Sequence, residues 1–482
     1  MNFPIIRKAV GRLLIVMIIL LAFPLIVALI YREPTLNIIS FLVPMVLVGI
    51  LGYLFLQGKE SNRRLTSKDG LFICAILWLL YSLIGALPFV ISKEIPSFID
   101  AFFETMSGFT TSGASVLSDV EALSHSMLFW RSFTHLIGGM GVLVFALAIL
   151  PSSGGDLVHV MKAEVPGPTF GKIVSRLKHT ARILYIIYLV MTLVLIVILA
   201  LGPMNLFDSI LHSFGAAGTG GFGMKNTSMA FYNDPYSEVV LGVAMILFGV
   251  NFNLYYFILL GKVKEFFKSE ELRVYFGIII GAIILITLNI STSYQSILKA
   301  IRDVFFTVSS VITTTGYSTA DFGSWPLFSQ MIILLLMFCG GMAGSTAGGL
   351  KISRIIVMFK TAFREIRAIV NPHRVQAIHF ENEPIPDRIS RSVGSYFILY
   401  SLLFFLIMVI VSLDSPDLMT AFSSTSATIN NIGPGLSMAG PTSNFGFFND
   451  FTKVVLTFSM FFGRLELIPV AILFMPSTYK KS

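Results

Sequence analysis

The 482-residue chain is 55% hydrophobic and 12% charged, with a mean hydropathy of +0.83, which is too apolar for a water-soluble globule and marks a polytopic membrane protein. Its formal net charge of +8 does not indicate nucleic acid, because no basic face with interleaved aromatics occurs outside loops that membrane topology explains. Cys74 and Cys339 both sit in apolar stretches, which supports neither a disulfide framework nor a cysteine metal site and leaves the redox compartment undecided.

Spanning helices need about 20 predominantly apolar residues, and ten runs reach or approach that: 13–31, 38–57, 70–91, 127–150, 182–202, 237–260, 273–291, 327–350, 393–412 and 453–475. The first follows Arg7, Lys8 and Arg12 but lacks a small-residue cleavage site, so it reads as a retained helix and not a signal peptide. With a cytoplasmic N-terminus, the inner segments 1–12, 57–69, 151–182, 261–273, 351–391 and 476–482 hold 26 of the 34 Lys and Arg. That positive-inside bias puts both termini on the cytoplasmic side.

After the first two runs, the remaining eight fall into four pairs, and each pair encloses a glycine-terminated amphipathic segment of about 13 residues, or ~20 Å of helix. Such a segment is too short to cross the ~30 Å hydrocarbon core, so it must enter and leave on one side. The organisation expected is two extra N-terminal helices (1–69) and pore repeats at 70–150, 151–260, 261–370 and 371–482. The fold class is all-α integral membrane, with helix, re-entrant pore helix, filter strand and helix repeated around a fourfold pseudosymmetric pore.

The repeats register on Gly113, Gly221, Gly316 and Gly433. Thirteen residues earlier stand Asp100, Asp208, Asp303 and Thr420, placed to cap the helix N-termini. Six residues earlier stand the small residues Ser107, Gly215, Ser310 and Ala427, and two residues earlier Thr111, Thr219, Thr314 and Asn431. Either Gly220 or Gly221 could close the second strand; the thirteen-residue spacing favours Gly221.

Four helix C-termini aimed at one cavity favour a cation. Backbone carbonyls of Thr111 and Ser112, Thr219 and Gly220, Thr314 and Thr315, and Asn431 and Ile432 are the natural ligands for a dehydrated monovalent ion. The side-chain hydroxyls there either join them or face away and brace the strands.

In repeat three, CGGMAGSTAGGLK (339–351) carries Gly340, Gly341, Gly344, Gly348 and Gly349 around Ser345 and Thr346. Each glycine would cost a helix interior roughly 1 kcal/mol relative to alanine, so a flexible loop crossing the pore is expected. Close helix packing explains the four-residue spacing of Gly340, Gly344 and Gly348 but not the adjacent pairs. Arg464, inside the last apolar run, is expected to face the pore near the gate, with Glu466 as a possible partner. Residues 351–370 place Ile352, Ile355, Ile356, Phe359, Phe363 and Ile366 on one helical face, suited to a membrane surface or a partner.

The strings TTSGAS, TGGFG, TTTGYSTADF and NNIGPG within this fourfold pattern resemble the Trk/Ktr/HKT superfamily of cation transporters over nearly the whole chain, and the two extra N-terminal helices resemble its TrkH branch. The resemblance implies potassium as the transported ion, because Gly113 stands where a serine goes with sodium permeation. TGG in repeat two and NNIG in repeat four depart from the family's TTG pattern. It also implies an intramembrane gating loop at 340–349 facing Arg464, a bacterial inner-membrane homodimer with one pore per chain, and a cytosolic nucleotide-binding regulatory ring of the TrkA type.

Other readings fare worse. GTGGFG (218–223) matches a dinucleotide fingerprint in letters only, with no preceding strand, and Asn226 and Asn289 fit glycosylation patterns that are common by chance. A membrane hydrolase lacks convergent groups: no HExxH occurs, and Ser345 lacks a GxSxG frame because Ala343 precedes Gly344. A proton- or sodium-coupled potassium symporter on the same scaffold is the nearer alternative.

Overall fold

The computed structural model describes residues 3–57, 67–141, 177–371 and 377–467. The ends of two expected spans (142–150 and 468–475), and the basic stretches at 58–66, 151–176 and 476–482, lie outside the described residues.

Helices α1 (Phe3–Ile30) and α2 (Thr35–Leu56) form an antiparallel hairpin at the N-terminus. Four units follow, each a long apolar helix, a short helix, a glycine strand and a second apolar helix. The first is α3 (Ser67–Ser92), α4 (Phe98–Phe109) and α5 (His125–Gly139). The second is α6 (Leu177–Ala200), α7 (Leu206–Gly218), α8 (Pro235–Phe248) and α9 (Phe252–Leu259). After α10 (Val263–Lys268) come α11 (Glu270–Ile290), α12 (Ile297–Ile312) and α13 (Leu327–Phe338). Helix α14 (Ile352–Val370) and an antiparallel hairpin of β1 (Ile378–Phe380) and β2 (Glu383–Ile385) lead to α15 (Asp387–Val411), α16 (Leu418–Ile429) and α17 (Asp450–Arg464).

Each short helix is wedged between the second helix of its own unit and that of the preceding one: α7 against α5 and α8, α12 against α8 and α13, α16 against α13 and α17, and α4 against α5 and α17. The last contact closes the ring. Lys453 of α17 pairs with Asp100 of α4 at 2.6 Å, joining the two ends of the repeat array.

Two expectations about these helices are corrected. The residues thirteen before the glycines are not the caps: Ser97, Asn205 and Asp417 are, accepting from the amides of Asp100, Asp208 and Thr420 three residues on. A capping side chain reaches the third helical amide, so the register residue is that donor and not the cap. In the third unit the helix starts earlier, at Ile297, which leaves Asp303 in its second turn.

The second apolar runs are also not straight spans. Among the described residues six helices are long and apolar enough to cross a membrane, and α8 with α9 makes a seventh only as a pair bent by 91°. Helix α5 ends at Gly139, α8 at the Gly249 to Asn251 break and α17 at Arg464, while α13 ends at Phe338, where the sequence predicts the glycine-rich loop. Hydropathy is blind to such breaks because the residues on both sides are apolar; glycine at 139, 141 and 249 was the available signal.

Candidate functional site

The four short helices end in one geometry. Each closes with the paired bonds of a Schellman cap: the residue before the glycine donates its amide to the carbonyl of the small residue five positions earlier, at 2.8 Å in all four (Ser112 to Ser107, Gly220 to Gly215, Thr315 to Ser310, Ile432 to Ala427). The residue before that takes the left-handed conformation: Thr111, Thr219, Thr314 and Asn431 have φ of 55°, 53°, 56° and 55°. Three of the four are β-branched, for which this region costs about 1–3 kcal/mol each. Strain repeated at equivalent positions points to a functional demand on the backbone.

The glycines follow with φ of 76°, 72°, 89° and 100° at Gly113, Gly221, Gly316 and Gly433. Gly220 is not in that set, so Gly221 is the structural equivalent of the others. Space excludes a side chain as strongly as conformation does. A Cβ on Gly113 would lie 2.0 Å from the Gly220 carbonyl oxygen, on Gly221 1.9 Å from that of Thr315, on Gly316 2.1 Å from that of Ile432, and on Gly433 3.0 Å from that of Ser112. Each glycine thus abuts the carbonyl preceding the next glycine, in the cyclic order one, two, three, four, one. The four strands form a closed ring of backbone oxygens.

The side chains flanking the glycines brace the ring. Thr219 Oγ1 donates to the Gly218 carbonyl at 2.6 Å, and Asn431 Nδ2 to that of Met460 at 3.0 Å. Thr315 and Thr313 hydroxyls bond to one another at 2.7 Å, while Thr111 and Thr314 accept from groups below the ring. Of the two roles left open for these hydroxyls, the bonds favour bracing for Thr111, Thr219, Thr314 and Thr315, whereas the buried Ser112 hydroxyl has no hydrogen-bond partner among the described residues.

On one side of the ring lies a cavity lined by the glycines and the residues that follow them, with Ser118, Asn226 and Asn444 at its wall. At its rim Lys225 pairs with Glu121 at 2.9 Å, and this hydrogen bond holds the Glu121 carboxyl below its ordinary range.

The other side is closed by the glycine-rich segment after α13. It is not helical: Cys339 and Leu350 form a parallel bridge, and the Gly340 amide donates to the Leu350 carbonyl at 2.9 Å, so the intervening residues fold back as a loop. The alternative of a packed glycine-zipper helix is thereby overturned. The Gly348 amide donates to Thr314 Oγ1 at 2.7 Å, and a Cβ at Gly348 would meet the Asn430 carbonyl at 2.5 Å. Gly341 and Gly344 face α8 and the break after it: the Met342 amide donates to the Gly249 carbonyl and the Phe252 amide to that of Gly344, both at 3.0 Å. Ser345 Oγ donates to the Met342 carbonyl, and Gly349 turns with φ 68°.

Arg464 stands against this loop at the end of α17. Its Nη1 donates to the Thr346 carbonyl at 2.9 Å and to Thr111 Oγ1 at 3.1 Å, while Nη2 donates to the carbonyls of Gly138 and Gly139 at 2.6 and 2.8 Å. One guanidinium therefore ties the first strand, the end of α5 and the loop. Glu466, expected as its partner, pairs with Arg354 of α14 instead, because the chain turns after Arg464 and carries Glu466 (φ 58°) toward that helix.

Two acids stand out that the sequence reading missed. Glu271, buried at the start of α11, accepts with one oxygen, Oε1, from the amides of Ala343 at 2.8 Å and Ser353 at 2.9 Å, pinning the loop together with the first turn of α14 that follows it. Glu104, buried in α4, pairs with Arg131 of α5 at 2.5 Å. Each could have been noticed as an ionisable residue at an apolar depth.

The amphipathic face of α14 is only partly used. Ile352, Ile356 and Val357 are buried, but Phe359, Phe363 and Ile366 are exposed, because α14 leaves the bundle after its second turn.

Comparison with known proteins covers nearly the whole chain. A family model described as TrkH, cation transport protein, matches residues 37–481. The chain is 35% identical over 488 residues to the Trk system potassium uptake protein TrkH of Salmonella typhimurium, covering 100% of both chains. It is 36% identical over 461 residues to the Trk system potassium uptake protein TrkG of Escherichia coli K12, covering 94% of this chain and 93% of that one. The crystal structure of the potassium transporter TrkH from Vibrio parahaemolyticus superposes with a TM-score of 0.89 at 32% identity, over 100% of both chains.

Proposed function

Because the chain belongs to the TrkH family of cation transport proteins, we propose that it takes up potassium across a bacterial cytoplasmic membrane through the ring of carbonyls at its four glycine strands. The observation that carries this reading is the cyclic approach of each glycine to the neighbouring strand's carbonyl. Such a ring offers a dehydrated monovalent cation several oxygens at once and so replaces its hydration shell. Four helix C-terminal ends add partial negative charge at the same point, which favours cation over anion.

The ions are drawn from the cavity at Ser118 and Asn444, cross the ring, and meet the loop 340–349 and Arg464. With Arg464 bonded to the loop and to the first strand, its positive charge bars the path; conduction needs the loop and the guanidinium to part. The chain acts as a transporter and not as an enzyme. The exposed apolar residues Phe359, Phe363 and Ile366 of α14 suit a role in assembly, as a homodimer or with a cytosolic regulatory ring of the TrkA type.

The test is flux into liposomes holding the purified protein, with potassium and proton gradients imposed separately. Potassium entry down its own gradient, indifferent to the proton gradient, is expected. Proton-driven potassium accumulation against its gradient would replace the gated-pore reading with a symporter, and equal sodium and potassium flux would remove the potassium assignment.

A further inference from the structure

The fourfold ring is braced unevenly, and its first two strands share a device the others lack. Nine residues before the four glycines stand Glu104, His212, Thr307 and Ser424, so only the first short helix places an acid there. Glu104 accepts from the Ser115 hydroxyl at 2.9 Å and from the Val116 amide at 3.1 Å, two and three residues beyond Gly113. Its partner Arg131 donates to the Gly223 carbonyl at 2.8 Å, two residues beyond Gly221, and lies over the Phe222 ring at 3.7 Å. One ion pair thus grips the outer ends of two adjacent strands that belong to different repeats. The fourth strand is held to its own short helix by the Leu436 amide on Ser423 Oγ at 2.9 Å, its unit reaches the first through the Phe445 amide on the Ser115 carbonyl at 2.8 Å, and the third reaches the second through the Tyr317 hydroxyl on the Phe222 carbonyl at 3.2 Å, none of them by an ion pair.

We propose that Glu104 and Arg131 are positioning residues that set the spacing of the first and second strands and thereby the ring's choice among monovalent cations. This rests on the reading of the ring as the ion-selecting element. A buried ion pair is a poor source of stability, since desolvation offsets most of its attraction. It is a good source of geometry, because charge-assisted bonds are short and directional. The guanidinium forks between the Glu104 carboxylate and the Gly223 carbonyl while stacking on Phe222, so it fixes one strand relative to the other. It also neutralises the carboxylate, which would otherwise trap a cation beside the ring.

The experiment compares sodium, potassium and rubidium fluxes in liposomes for the wild type, R131K and the doubly neutral E104Q/R131Q, with monodispersity in detergent as the check on folding. R131K keeps the charge and the contact with Glu104 but loses the fork and the stacking. A drop of about tenfold in the wild-type preference between cations is expected for both variants, with total flux of the preferred ion falling far less. A purely structural role would lower protein yield and flux without moving the ratio. If either variant is folded and keeps the wild-type ratio, the proposal is overturned. A wild type that prefers no potassium would overturn the assignment of the ion, while the brace would still be judged on whether the variants change whatever ratio the wild type has.

Discussion

The Gly348 amide hangs from the Thr314 hydroxyl at 2.7 Å, so the loop that blocks the path is suspended from the strand that precedes Gly316. Ring and barrier share a residue. Replacing Thr314 with valine keeps the branched shape and removes the acceptor, leaving the buried Gly348 amide unpaired at a cost of about 1–3 kcal/mol in the closed arrangement. Basal potassium flux without any regulatory partner is expected to rise, by up to about tenfold, in a liposome assay. Unchanged basal flux would show that the loop is held elsewhere.

Glu271 is the next place to look, because its one carboxylate oxygen holds both the loop at Ala343 and the first turn of α14 at Ser353. In E271A both amides lose their acceptor, whereas the amide oxygen of E271Q can still take both bonds. Basal flux is therefore expected to rise in E271A and to stay near wild type in E271Q. An equal rise in both would mean that the charge matters and the acceptor geometry does not, and wild-type flux in both would show that the loop is held elsewhere.

Gly316 tests the ring itself. At φ 89°, with a Cβ that would sit 2.1 Å from the Ile432 carbonyl oxygen, serine cannot enter without moving the fourth strand. G316S should damage discrimination of potassium from sodium while the protein still reaches the membrane. Gly281 in α11 is the control, since nothing lies within 4 Å of its Cβ position; G281A is expected to leave the flux ratio untouched and to be neutral or slightly stabilising.

How much of this could be read in advance follows from the range of the interactions. The short helices and their glycines were legible because the same backbone demand recurs at the same register, and repetition survives divergence of side chains. The small residues Ser107, Gly215, Ser310 and Ala427 were legible as a pattern, but their meaning, the carbonyl end of a Schellman bond, needed coordinates. The caps, Ser97, Asn205 and Asp417, stand three residues before the register positions and are not legible from the repeat, because the recurring acid is the more conspicuous candidate. The breaks after α5 and α8 were hidden by uniform hydropathy, whereas the one after α13, at the glycine-rich loop, announced itself. Pairs such as Glu104 with Arg131, or Glu271 with Ala343, join distant parts of the chain, and no local pattern specifies them.

Arg464 is the positive charge at the barrier. R464Q keeps donors for one or two of its carbonyl partners and removes the charge, so it separates tethering from repulsion. Basal flux in R464Q should exceed wild type if repulsion dominates, and R464K should stay closer to wild type. The reverse order would assign the block to the hydrogen bonds with Gly138, Gly139 and Thr346.

The seam between the first and last repeats gives a stability prediction. Lys453 and Asp100, with side chains 8% and 25% exposed, meet at 2.6 Å where α17 closes against α4. Removing one partner strands the other in a poorly hydrated place, at a cost of up to about 3–5 kcal/mol for a fully buried pair and less here because Asp100 is partly exposed. Removing both leaves no orphan charge. Thermal unfolding in detergent should therefore rank wild type and K453M/D100N above either single variant, with D100N the worst because it leaves the more buried ammonium without its counter-charge. Additive losses in the double variant would show that the two residues contribute independently and that the ring is closed by the apolar contacts of α4 with α17.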